Sequence, residues 1–169
     1  MSEPHVRDGH HHGALVGEAT PIRVLVVCTG NSARSILGEA LLRHLGGDRI
    51  QAHSAGTHPG SVNPLSVRVL EEAGISTEGL RSKSINVYLG QRFDYVITVC
   101  DDARDACPVF PGVHESMHWG FPDPAKAEGT DEERLRAFRS VLTGLGQRIH
   151  QFLPLAERYA AQRKAIEIA

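Results

Sequence analysis

The chain has 169 residues, a formal net charge of −2 and an apolar fraction of 41%. Such a chain can bury one adequate core and lacks the basic excess of a nucleic-acid binder. No apolar run approaches the roughly 20 residues of a bilayer span, and the N-terminus lacks a secretory leader, so a cytoplasmic, non-membrane monomer is expected.

Residues 1–20 carry three consecutive histidines (His10 to His12), several glycines and few apolar residues. They read as a disordered tail without functional weight. The domain is expected over 21–160, with 161–169 as a helical or frayed tail. "IRVLVV" (Ile22 to Val27) is almost continuously apolar and β-branched, as in a central parallel strand. A small-residue loop follows, then "SILGEALLRHL", whose Ile36, Leu37, Ala40, Leu41 and Leu45 form a helical face ended by Gly46 and Gly47. A short strand is expected near Ile50 to Ser54. Asn63 and Pro64 supply the cap and first position of the next helix, which stops at Gly74. "DYVITV" (Asp94 to Val99) is a second buried strand, and a weaker one lies near Glu115 to His118. Thr130 to Glu133 form a capping-box pattern ahead of a stripe running from Leu135 to Phe152, and Pro154 is expected to kink or end that helix. Strands alternating with helices predict an α/β sandwich around a parallel sheet. Sites in such sheets sit beyond the carboxyl ends of the strands, where Cys28 and Cys100 fall.

"VVCTGNSARS" (26–35) joins a strand to a helix through a loop of small residues. The amides of Thr29, Gly30, Asn31, Ser32, Ala33, Arg34 and Ser35 can converge on a tetrahedral oxyanion at the helix N-terminus, and the Arg34 fork can clasp two of its oxygens. The same field acts on Cys28, and a thiol pKa below about 8.5 is expected from it. The loop therefore makes a nucleophile and holds an electrophile against it. The lysine-bearing phosphate loop of NTPases is absent. Cys100 and Cys107, with Cys28, make an odd number of thiols, which argues against a disulfide-stapled secreted domain and leaves each thiol either structural or reactive. An Asp123 carboxyl near a bound anion is a candidate general acid, shielded from water by Trp119, Phe121 and Pro122; an ordinary Asp-Pro turn explains the same dipeptide.

Cys28-x5-Arg34-Ser35 with Asp123-Pro124 far downstream resembles the low-molecular-weight protein tyrosine phosphatase fold. "CTGNSARS", "SAGT" (54–57), "DYVITVCDDARDACPVFPG" and "HWGFPDPA" (118–125) are together similar to the thioredoxin-coupled arsenate reductases built on that fold. The resemblance implies a three-layer sandwich with about four parallel strands flanked by helices. It implies an arsenate substrate with phosphate or sulfate as mimics, no bound cofactor, and thioredoxin as external reductant. It also implies a relay in which Cys28 attacks arsenic and Asp123 protonates the leaving oxygen. Cys100 then releases arsenite by forming a disulfide with Cys28, and Cys107 takes that bond over. Seven helical residues advance about 10.5 Å, whereas a disulfide tolerates Cα separations of about 4.4–6.8 Å, so a helix between Cys100 and Cys107 must unwind or loop out on oxidation. Asn31, Glu39, Ser54 and Trp119 are expected behind or beside the loop. Where some relatives bind potassium, Lys83 stands in this chain, so no metal is expected. Ala33 replaces a frequent cysteine outside the redox three. A phosphatase hydrolysing phosphomonoesters through a phosphocysteine shares the first step; Ala125 after Asp123-Pro124, where a substrate-pocket tyrosine is expected, weighs against it.

Overall fold

The computed structural model describes residues 20–112 and 115–168, so the expected disordered tail and its histidines lie almost wholly outside the described residues. Four strands, β1 (Ile22–Cys28), β2 (Ile50–Gly56), β3 (Tyr95–Thr98) and β4 (Glu115–His118), form one parallel sheet in the order β2-β1-β3-β4. β3 is buried at every position and β1 at all but Arg23, which requires cover on both faces and explains their unbroken apolar sequences. The flanking helices are α1 (Arg34–Gly46), α2 (Pro64–Glu72), α3 (Asp101–Ala106) and α4 (Asp131–Ile168).

The helix ends follow from local chemistry. Asn63 Oδ1 accepts from the Leu65 amide at 2.9 Å, and Gly74 takes a φ of +71° just past the end of α2. Thr130 and Glu133 exchange capping bonds at the start of α4, with Thr130 Oγ1 accepting from the Glu133 amide at 3.2 Å. α1 lies between β2 and α4, so burial extends beyond the single face expected and takes in Ser35, Gly38 and Glu39.

The strand order reverses between β1 and β3, which makes their carboxyl ends the switch point where open α/β sheets hold ligands. Val27 pairs with Thr98 there, so Cys28 at the end of β1 and Cys100 just past β3 fall side by side although 72 positions separate them.

Pro154 does not end the C-terminal helix, and residues 161–168 take the helical form of the two expected for them. α4 runs through Pro154 and on to Ile168 as one 38-residue helix. An interior proline costs a helix about 3 kcal/mol, but Phe152 and Ala156 on either side are buried in the core and Asp94 fastens the following turns. Its Oδ1 accepts from Tyr159 Oη at 2.8 Å and Arg163 Nη1 at 3.1 Å, and its Oδ2 from the Arg23 amide at 2.8 Å. Residue 163 is thus part of the folded domain. Asp94→Ala should lower the unfolding free energy by about 2–3 kcal/mol in urea titration; an unchanged midpoint would show that the clamp contributes nothing.

Candidate active site

The loop after β1 is shaped from outside. The carbonyls of Cys28, Thr29, Gly30 and Ser32 accept from the amides of Thr57 (3.1 Å), His58 (2.8 Å), Gly60 (2.9 Å) and Asn63 (3.0 Å), and Ser82 Oγ donates to the Asn31 carbonyl. Ser66 Oγ adds a second bond to Ser32. In a trans peptide the next amide points opposite to the carbonyl, so anchoring these oxygens outward aims the amides of Thr29 to Ala33 at the concave side. Among the described residues, the amides of Gly30 to Ala33 have no backbone partner. They form an anion bowl at the N-terminus of α1. Gly56 makes the anchoring possible, because a Cβ there would lie 2.5 Å from the Thr29 carbonyl oxygen.

Asn31 locks the bowl. Fully buried with φ +47°, it donates from Nδ2 to Ser35 Oγ (2.8 Å) and Ser54 Oγ (2.9 Å) and accepts at Oδ1 from the Lys83 amide (2.9 Å). Ser54 Oγ in turn donates to Glu39 Oε1 at 3.2 Å. Lys83 Nζ lies 3.7 Å from Glu39 Oε1 and Arg43 Nη1 3.4 Å from Oε2. Burial pushes the Glu39 carboxyl up and the Lys83 ammonium down, and each charge opposes the shift of the other. Of the five residues expected behind or beside the loop, Asn31, Glu39, Ser54 and Lys83 are therefore one connected network, and Trp119 is not part of it. Two cationic side chains already flank Glu39, so a potassium ion does not fit there. Lys83 is 8% exposed, far from a surface lysine.

Arg34 opens α1 and reaches over the bowl. Its Nη1 donates to the Phe121 carbonyl at 3.0 Å, Nη2 lies 3.7 Å from Asp123 Oδ2, and Nε is buried without a hydrogen-bond partner. An orphaned guanidinium N–H in this position suits an oxyanion. Asp123 forms the Asp-Pro turn and also lines the cleft. Its Oδ1 caps the turn at Pro124 by accepting from the Ala125 amide at 3.0 Å, and its Oδ2 faces Arg34. Thr29, Arg34, Cys100, Phe121, Pro122 and Asp123 line one cleft. Trp119, expected with Phe121 and Pro122 as a shield, is instead in the core, edge-on to Phe152 with centroids 5.7 Å apart.

The thiols divide two and one. Cys100 Sγ lies 3.3 Å from Thr29 Oγ1, near enough to Cys28 to disfavour its thiolate. Cys107 ends α3 and lines a separate cavity of about 370 Å³ with Arg104, Phe110 and Met117, where burial pushes its thiol up. The expected low pKa of Cys28 is overturned. Burial pushes this thiol above its ordinary value; Arg34 pulls it down, Cys100 pushes it up further, and the Thr29 amide pulls it down. A sequence displays the charges beside a thiol but not the depth at which it sits. Two residues of the site carry no separate signal in the chain: Gly56, the glycine of "SAGT", and His118, whose Nε2 is 2.9 Å from Asp101 Oδ1.

Residues 23–165 match the model of the low molecular weight phosphotyrosine protein phosphatases. The chain belongs to that family. Within the family, it is 43% identical over 129 residues to an arsenate reductase of Halalkalibacterium halodurans, covering 76% of this chain and 93% of that protein. Among solved structures, an arsenate reductase in the phosphate binding state superposes with a TM-score of 0.62 at 26% identity, covering 80% of this chain and 98% of the other. The thioredoxin-dependent arsenate reductase of Corynebacterium glutamicum gives 0.65 at 26% identity, over 84% of this chain and 65% of that one.

Two outcomes follow from this geometry. With its pKa raised, Cys28 is mostly thiol at neutral pH, so its alkylation by iodoacetamide should accelerate as pH rises and level off only above the ordinary cysteine value. Cys100→Ala should move that inflection down and Arg34→Met should move it up; the opposite order would refute the assigned causes. Separately, a Cβ at Gly144 of α4 would meet Phe121 Cε1 at 2.6 Å, displacing the residue whose carbonyl holds Arg34. Gly144→Ala should cost about tenfold or more in kcat/KM, despite the gain in helix propensity of about 1 kcal/mol. Gly146→Ala, where a Cβ meets nothing within 4 Å, should leave activity unchanged.

Proposed function

We propose that the chain is an arsenate reductase that works through a three-cysteine relay and is recharged by thioredoxin. The reading is carried by one observation: a second thiol, Cys100, lines the cleft with Thr29, Arg34 and Asp123, beside the strand end that carries Cys28. A hydrolase has no use for it, because water completes its turnover. The arsenate reductases among the relatives support the substrate, and the thioredoxin dependence of the Corynebacterium protein supports the reductant.

Arsenate binds in the bowl between the amides of 29–33 and the Arg34 fork, as phosphate or sulfate would. Arg34 and the Thr29 amide stabilise the Cys28 thiolate against its burial. The thiolate attacks arsenic(V), and a hydroxide leaves as water with the proton of Asp123, giving a Cys28–arsenic bond. Cys100, as thiolate, then attacks Cys28 Sγ. The new S–S bond forms as the S–As bond breaks, the electron pair stays on arsenic, and arsenite leaves as arsenic(III). Two electrons have moved from two thiols to one arsenic. Thr29 Oγ1, 3.3 Å from Cys100 Sγ, is placed to donate to that thiolate. Cys107 thiolate next attacks Cys100 Sγ, which frees Cys28 and moves the disulfide to Cys100–Cys107. The dithiol of thioredoxin returns this last bond to two thiols, so no bound cofactor enters the cycle.

The last transfer requires α3 to give way, since its ends are too far apart for a disulfide. Only Ala103 of its six residues is buried, and Pro108 follows directly. The helix is short enough to melt at little cost. The same Cys28, Arg34 and Asp123 also support slow hydrolysis of phosphomonoesters.

Single Cys→Ser replacements separate the steps. Cys28→Ser should abolish both arsenite release and p-nitrophenyl phosphate hydrolysis. Cys100→Ser should abolish arsenite release and spare hydrolysis. Cys107→Ser should stop thioredoxin-driven turnover after one arsenite per chain. Undiminished turnover in Cys100→Ser or Cys107→Ser would refute the relay.

A further inference from the structure

His118, at the end of β4, bridges three elements. Its Nδ1 lies 2.7 Å from Thr98 Oγ1 at the end of β3, and its Nε2 lies 2.9 Å from Asp101 Oδ1 in the first turn of α3. A neutral ring protonated at Nε2 satisfies both, accepting from the threonine hydroxyl and donating to the carboxylate. Gly120 leaves room for this arrangement, because a Cβ there would lie 3.3 Å from His118 Nε2. Backbone bonds from Trp119 N to Thr98 O (2.8 Å) and from Phe121 N to Val99 O (3.3 Å) carry the same seam onward to the cleft.

The placement of this bridge matters for the thiols. Asp101 directly follows Cys100 and lines its cleft, whereas His118 lines the cavity that holds Cys107. The pair is the partition between the two thiols. Among the described residues, it is also the one side-chain hydrogen bond that ties α3 to a strand; the other ion pair of that helix, Arg104 with Asp105, is internal and exposed. A six-residue helix has little stability of its own, and this tether lies at its first turn rather than its last.

We propose that His118 is a positioning residue for the second thiol step, holding the first turn of α3 so that Cys100 stays aligned on Cys28 while the Cys107 end unwinds. The proposal rests on the reductase reading. The step concerned is the attack of Cys100 thiolate on Cys28 Sγ, in which the S–S bond forms, the S–As bond breaks and arsenic takes the electron pair. Such a displacement is sensitive to alignment of the incoming sulfur with the bond it breaks. Loss of the tether leaves the anion bowl intact and loosens only the second sulfur.

The test uses the reduced full-length protein and two measurements: arsenite released in a single turnover, and the affinity for inorganic phosphate by titration calorimetry. His118→Leu should slow arsenite release about tenfold, as expected for loss of one hydrogen bond to a charged group, and leave phosphate affinity within about twofold. Hydrogen exchange across 101–106 should quicken in the same variant. His118→Gln, which keeps an N–H donor, should recover most of the rate. Asp101→Leu should slow the same step, and combining it with His118→Leu should add little further loss. Wild-type release rates in His118→Leu, or a loss of phosphate affinity matching the loss of rate, would overturn the proposal. Wild-type protein that binds phosphate and releases no arsenite would overturn the reductase reading and this proposal with it, a result distinct from a variant that merely equals wild type.

Discussion

The buried side chain of Asn31 is the constraint on which the site depends. Its left-handed backbone turns the loop, and its amide reaches α1 at Ser35, β2 at Ser54 and the segment before β3 at Lys83. Three parts of the chain thus agree on one loop shape before any anion arrives. Both Nδ2 protons and the Oδ1 are used, so a smaller residue would strand several buried polar groups at once, each costing about 1–3 kcal/mol. The charges beneath, Glu39 between Lys83 and Arg43, extend the same agreement into the protein interior.

Strand order does the rest. Because β3 pairs with β1 in register, two cysteines far apart in sequence are delivered to neighbouring strand ends, and the first is exposed to opposing influences. Burial and Cys100 favour its neutral form, whereas Arg34 and the Thr29 amide favour the anion. Cys107 is kept elsewhere by six residues of helix. In the proposed relay this arrangement separates a pair that handles the oxyanion from a third thiol that joins only when backbone bonds break.

Much of this was readable in the chain. Continuous apolar runs marked β1 and β3, Asn63-Pro64 and Thr130 to Glu133 marked helix starts, and Cys28-x5-Arg34 located the bowl. These features are local, and their physics is contained in a few adjacent residues. What stayed hidden depends on depth or distance. Desolvation of Cys28, the core position of Trp119, the passage of α4 through Pro154 and the Thr98–His118–Asp101 bridge all arise from contacts between remote segments. Pro154 is instructive, since its local penalty is real and is outweighed by burial of Phe152 and Ala156 and by the Asp94 clamp. The burial of Lys83 is likewise invisible in the chain, because its backbone is held by the distant Asn31 and Gly56.

The outward-anchored carbonyls of the bowl have a consequence for selectivity. A cradle whose form is imposed by its surroundings recognises charge and tetrahedral shape, and arsenate and phosphate share both. Little discrimination between the two elements can arise at the moment of capture. In the proposed relay it arises afterwards, at the exit through Cys100: arsenic can depart by accepting an electron pair, whereas phosphorus in the same cradle is far harder to reduce and must wait for water.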